Sequence, residues 1–94
     1  MKISIVIVEY HSLEEIDKYL KKVSGLNDIE VIVSSNSMYS KTEKEDILKK
    51  HTGCIWQFNE KNGGFAYAMN NGLAVATGDI LVISNPDCSI QHGL

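Results

Sequence analysis

The chain begins with a short, β-branched and almost continuously apolar run, Ile3, Ser4, Ile5, Val6, Ile7 and Val8. Such a run predicts a strand buried on both faces, central in its sheet. Polar residues then take over, and Leu13, Ile16, Leu20 and Val23 recur at helical spacing. Ser12 with Glu15 forms a capping box ahead of them, and Gly25 follows as a residue that tolerates left-handed backbone, so strand, helix and stop are all marked. The unit recurs. Residues 29–33 read as a second buried strand, Ser34, Ser35, Asn36 and Ser37 as a polar loop, and Ser40 with Glu43 as a capping box opening a helix to about Lys50. That helix has little apolar face beyond Ile47 and Leu48, which predicts an exposed position. Residues 54–58 follow as a third strand, 64–77 as a third helix ending at Gly78, and 80–84 as a fourth strand.

Strands alternating with helices predict right-handed crossovers and parallel pairing, hence a layered α/β sheet of about four strands flanked by three helices. Ligands of such sheets sit just outside the carboxyl ends of the strands. One rim therefore collects residues 9–11, 34–37, 59–64 and 85–87.

Composition narrows the classes. Ninety-four residues, 44% apolar and 22% charged, suit one soluble domain at most and exclude wholesale disorder. A net charge of -3 leaves no basic footprint, so nucleic acid is not expected as a partner. Cys54 and Cys88 are too few and too far apart for a zinc pattern and read as reduced thiols of a cytosolic protein. The first apolar run is shorter than a signal peptide's hydrophobic region and far short of a membrane span, which predicts a cytoplasmic chain without a transmembrane segment of its own.

The stretch from Asn62, Gly63 and Gly64 through Phe65, Ala66, Tyr67, Ala68, Met69, Asn70, Asn71 and Gly72 is unusual for a helix, since Asn and Gly near its centre lower helix propensity. Either the small residues let the helix approach a ligand, with Asn amides as donors and acceptors and the amino terminus favouring negative charge, or they let it pack closely on the sheet. No Gly-x-Gly-x-x-Gly follows the first strand and no Gly-Lys-Ser/Thr is present, which excludes the Walker and dinucleotide fingerprints. Asn85, Pro86 and Asp87 supply hard oxygen ligands of the kind Mg2+ or Mn2+ accepts in a diphosphate complex, or else simply make a turn. Tyr10 offers a ring for a nucleobase or an amphipathic strand end, and His11 has no second His or Cys at ligand spacing. Ser34, Ser35 and Ser37 lack a Gly-x-Ser-x-Gly elbow and read as loop hydroxyls.

Taken in order, these pieces resemble the amino-terminal half of a family 2 glycosyltransferase with the GT-A fold, and the resemblance covers essentially the whole chain. Residues 3–12 look like the family's opening strand and Tyr-Asn loop, and residues 31–37 like its second strand with an Asp-Asn-x-Ser ending. Asn62, Gly63, Gly64, Phe65 and Ala66, with Asn70 and Gly72, match its Asn-x-Gly-Phe-Ala helix. Residues 78–87 match the strand leading into its metal motif, written Asn-Pro-Asp in the rhamnosyltransferase-like branch. The resemblance implies a Rossmann-like GT-A half-domain that binds a nucleotide-diphosphate sugar through a divalent metal, Mg2+ or Mn2+, held by Asp87. It implies that Asn85 contacts the nucleotide or a metal-bound water, that Tyr10 lines the base and ribose pocket, and that Asn70 faces the cleft; Ser35, Asn62 and Gly64 belong to the same nucleotide site.

Three positions depart from the pattern. Ser35 stands where the family usually has an Asp that recognises the uracil or thymine ring, Glu9 replaces a usual Thr or Pro, and Met69 stands where many members carry Arg or Asn. The family's general-base carboxylate and most of its acceptor site belong to the carboxyl-terminal half, so no catalytic residue is assigned here. Residues 1–94 are therefore expected to be the donor-binding part of a single, truncated GT-A domain, little active alone. In a full-length protein this domain would serve cell-surface or polysaccharide glycan synthesis, transferring sugar to an acceptor of unspecified class at the inner face of the membrane. An exposed fourth strand would favour a homo-oligomer. The alternative from another class is a non-catalytic α/β module that binds a nucleotide or a protein.

Overall fold

The structure, a computed structural model, describes residues 1–23 and 25–84. The first apolar run forms β1, Ile3–Glu9, and the second forms β2, Ile29–Ser35. With β3, Ile55–Phe58, and β4, Ile80–Ser84, they make a four-stranded sheet in the order β3-β2-β1-β4. All three pairings are parallel.

Alternation along β1 sends its side chains into two separate cores, as the unbroken apolar run requires. On one face Ile5 and Ile7 meet Val31 and Val33 beneath Ile16 and Tyr19 of helix α1, Leu13–Val23. On the other, Val6 and Ile32 meet Met69 of helix α3, Phe65–Val75. Each fully buried branched side chain contributes about 1.5–3 kcal/mol relative to exposure, so these clusters hold a helix to each side of the sheet. Helix α2, Lys41–Lys50, buries only Ile47 and keeps the predicted capping box, with Glu43 N–H donating to Ser40 Oγ at 3.1 Å and Ser40 N–H to Glu43 Oε1 at 2.8 Å.

Two local expectations changed. Strand β2 runs through Ser34 and Ser35, which the pattern assigns to a loop, because both hydroxyls find partners inside: Ser34 donates to Ala68 O at 2.6 Å and Ser35 to Glu9 Oε1 at 2.5 Å. A hydrogen-bonded serine can sit in a buried strand at little cost. The entry to α1 also differs from the expected Ser12 and Glu15 box, since the Ser12 N–H donates to Glu9 Oε2 at 2.7 Å. After that helix Gly25 does adopt the left-handed backbone, φ 88°.

At the amino ends of the strands, Glu30 accepts from Ser4 Oγ at 2.5 Å and from Thr77 N–H at 2.8 Å, and pairs with Lys2 Nζ at 3.1 Å. These contacts, the Ser4 hydroxyl foremost, hold the Glu30 carboxyl down at about 2 and tie the starts of β1, β2 and β4 together. Among the described residues no helix is long and apolar enough to cross a membrane.

Candidate functional site

Strand order reverses between β1 and β4: the chain steps outward from β1 to β2 to β3, then returns to the other side of β1. At such a switch point the connections leave in opposite directions and open a crevice at the carboxyl ends. Two hydrogen-bond networks build the rim on the β1, β2 and β3 side of that crevice.

The first is centred on Glu9, which ends β1 and is completely buried. Its Oε1 accepts from Ser35 Oγ at 2.5 Å and Ser37 Oγ at 2.8 Å, and its Oε2 from Ser12 N–H at 2.7 Å and Tyr39 Oη at 2.8 Å. A carboxylate offers about four acceptor positions, so Glu9 is saturated. Ser37 Oγ in turn accepts from His11 N–H at 2.7 Å. His11 and Met38 both hold positive φ, 50° and 59°, a conformation side chains other than Gly rarely adopt. Such residues persist where neighbours over-determine them, and both lie in the two loops that Glu9 crosslinks. Burial, reinforced by the Glu9 carboxylate, pushes the Tyr39 phenol up to about 12.

The second is centred on Asn59, which follows β3 and is buried. Its Nδ2 donates to Ser34 Oγ at 3.0 Å and to Asn36 Oδ1 at 2.8 Å, while its Oδ1 accepts from Asn71 Nδ2 at 2.9 Å. Asn36 Nδ2 donates to Gly64 O at 3.0 Å, fastening the amino terminus of α3 to the end of β2. Gly64 caps α3 with φ 92° and ψ 179°, a region open essentially to glycine alone, and it offers no side-chain cap to the helix. Among the described residues no buried polar side-chain atom lacks a partner.

The residues singled out from sequence divide accordingly. Tyr10, Asn62, Gly64 and Asn70 are exposed, whereas Ser35 is buried with its proton committed to Glu9. Asn85 and Asp87 lie outside the described residues, and among those described no cluster of His, Cys, Asp or Glu could hold a metal ion. Gly72 packs against the sheet: a Cβ there would stand 2.5 Å from Val6 Cγ1. The close-packing reading of the helix therefore holds at Gly72, and Asn71 is a structural tie to Asn59. A cleft of about 460 Å3 opens at this rim beside His11, Glu14 and Tyr39. A larger one, about 540 Å3, lies at the amino ends of the strands between Asp17, Lys21, Lys50 and His51.

The sequence model of the family described as Glycosyl transferase family 2 matches residues 4–94. The chain belongs to that family. No curated protein matches it at significance. Membership accounts for the α/β sheet and makes the carboxyl-end rim the place to look for glycosyltransferase chemistry. Within it, the departures at Glu9 and Ser35 are a bonded pair at one register position of β1 and β2. Met69, the third departure, is buried in the core beside Val6 and Ile32 and presents nothing to the rim. Sequence reading missed Glu9, Asn59 and Tyr39 as organisers of the site. The available signal was a carboxylate ending an apolar strand in a chain with a Ser-rich run after its next strand.

Proposed function

We propose that residues 1–94 are the donor-binding part of a glycosyltransferase domain whose rim takes a nucleotide-diphosphate sugar, in the rhamnosyltransferase-like branch and in the service of cell-surface or polysaccharide glycan synthesis. The observation that carries this reading is the family match over residues 4–94, joined to a sheet whose order reverses beside β1. On the rim the exposed Tyr10 ring offers a stacking surface for a base. The amides of Asn62 and Asn70 are open to a ligand, and the amino terminus of α3 at Gly64, with no side-chain cap, favours the charge of a diphosphate.

Asp87 is the residue proposed to hold a divalent ion, Mg2+ or Mn2+, with Asn85 two positions before it in the sequence. Such an ion, when bound, neutralises charge on the leaving diphosphate. Ser35 serves the site through Glu9. A general base needs a free acceptor lone pair at the hydroxyl it deprotonates, and Glu9, the buried rim carboxylate, has none to spare. This chain alone is therefore proposed to bind a donor without transferring its sugar, and sustained product formation by the purified protein contradicts that part.

Calorimetry with UDP-, dTDP- and GDP-sugars, with and without Mn2+, tests the binding. The expected result is metal-dependent binding of at least one donor, lost in Asp87→Ala. No binding by any of them, or binding indifferent to both metal and substitution, contradicts the reading.

A further inference from the structure

We propose that Glu9 is a positioning residue of the nucleotide site, one that shapes the two ligand-facing loops by bonding both at once and makes no contact with the nucleotide itself. The proposal rests on the donor-site reading above and adds the device by which this chain builds that site with Ser at position 35.

Glu9 is completely buried and its four acceptor positions are filled, so no lone pair remains for a base N–H or a ribose hydroxyl. Its four donors come from both sides: Ser12 N–H from the connection after β1, Ser35 Oγ from the last residue of β2, and Ser37 Oγ and Tyr39 Oη from the connection after β2. Two of the bonds fix strained backbone. The Glu9 bond to Ser37 sets the hydroxyl that receives His11 N–H, and the bond to Tyr39 anchors the residue after Met38. Tyr10, the exposed aromatic candidate for the base, sits between Glu9 and His11 in the chain, with its ring edge-on to the His11 ring at 4.4 Å between centroids. Removing the charge therefore releases the loops while leaving the apolar core of the sheet in place.

The same geometry allows a transposition. Glu9 and Ser35 are register partners on adjacent strands, so their side chains share one face of the sheet. A carboxylate placed at 35 with a hydroxyl at 9 reaches the same group of donors from the neighbouring strand.

The test compares wild type, Glu9→Gln, and the transposed pair Glu9→Ser with Ser35→Glu. Three readouts are followed: amide hydrogen exchange, ultraviolet titration of the tyrosines, and calorimetric affinity for the tightest-binding nucleotide sugar with Mn2+. In Glu9→Gln the amides of residues 10–12 and 35–39 are expected to exchange about tenfold faster or more while those of Val31 and Val33 are unchanged, matching the loss of a charge-assisted bond. Burial does most to push the Tyr39 phenol up to about 12, and with the added effect of the Glu9 carboxylate gone it is expected to ionise somewhat below that value. Donor affinity is expected to fall about tenfold, and the transposed pair to recover most of it. Should Glu9→Gln fail to fold, Tyr39→Phe and Ser37→Ala each remove one donor from the outside of the network and are expected to loosen the same loops to a smaller degree. Wild-type exchange and affinity in folded Glu9→Gln overturn the positioning role while leaving the donor site intact. Absence of nucleotide binding by wild type overturns the donor-site reading, and the role of Glu9 with it.

Discussion

Glu30 and Glu9 are both tied to serine hydroxyls, but they sit at opposite ends of the sheet and carry different consequences. Glu30 is held near 2, below the ordinary carboxylate value of 4.5, so folding favours its charged form. Its contribution is fully present above about 4.5 and is lost as pH falls toward 2. Thermal unfolding of Glu30→Gln is therefore expected to lie below wild type at pH 6, with the gap closing between pH 4.5 and 2; a gap independent of pH contradicts the assignment. Glu9 is legible in the sequence as a rim residue that replaces a usual Thr or Pro, but its partners are not. Hydropathy records that a residue is polar and says nothing of whether four donors from distant positions will converge on it. Asn70 and Asn71 make the same point, because adjacent and chemically identical side chains end up one exposed and one bonded to Asn59.

Among the elements, β1 was the most legible, since an unbroken β-branched run has few alternatives to a strand buried on both faces. The second capping box was legible for a similar reason: its two bonds join residues three apart, so the information is local. The end of β2 was not, because Ser34 and Ser35 extend the strand by pairing with Val8, Glu9, Gln57 and Phe58 and by bonding their hydroxyls to Ala68 and Glu9, most of them far away in sequence. In α3 the low-propensity residues trade local helix stability for contact with the sheet. Replacing Gly72 with Ala improves intrinsic propensity by about 1 kcal/mol but forces a Cβ to within 2.5 Å of the buried Val6 Cγ1. Overpacking costs typically 1–3 kcal/mol, so Gly72→Ala is expected to lower the urea midpoint by an equivalent of up to about 2 kcal/mol. A rise in the midpoint means that the helix does not need its close approach.

For the whole molecule, alternation of elements was enough to read a parallel α/β sheet, but the return of β4 to the side of β1 depends on tertiary packing that no local pattern encodes. That return creates the crevice. Among the described residues it also leaves β4 as an outer strand, with Leu81 and Ile83 52% and 57% exposed on one face. We expect a second copy of the chain to pair there, since an open apolar edge strand is a template for another strand. Light scattering at tens of micromolar should give a mass above the 10.4 kDa chain, returning to monomer in Leu81→Lys with Ile83→Lys; a wild-type monomer contradicts it. The molecule has a cleft at each end of its sheet, and the nucleotide is expected at the carboxyl end. Titration of 15N-labelled protein with a nucleotide-diphosphate sugar and Mg2+ distinguishes the two ends. Amide shifts are expected to concentrate in residues 10–12, 34–37 and 62–66 at the carboxyl-end rim. Shifts concentrated instead around Lys21, Lys50 and His51, at the opposite end, would contradict it.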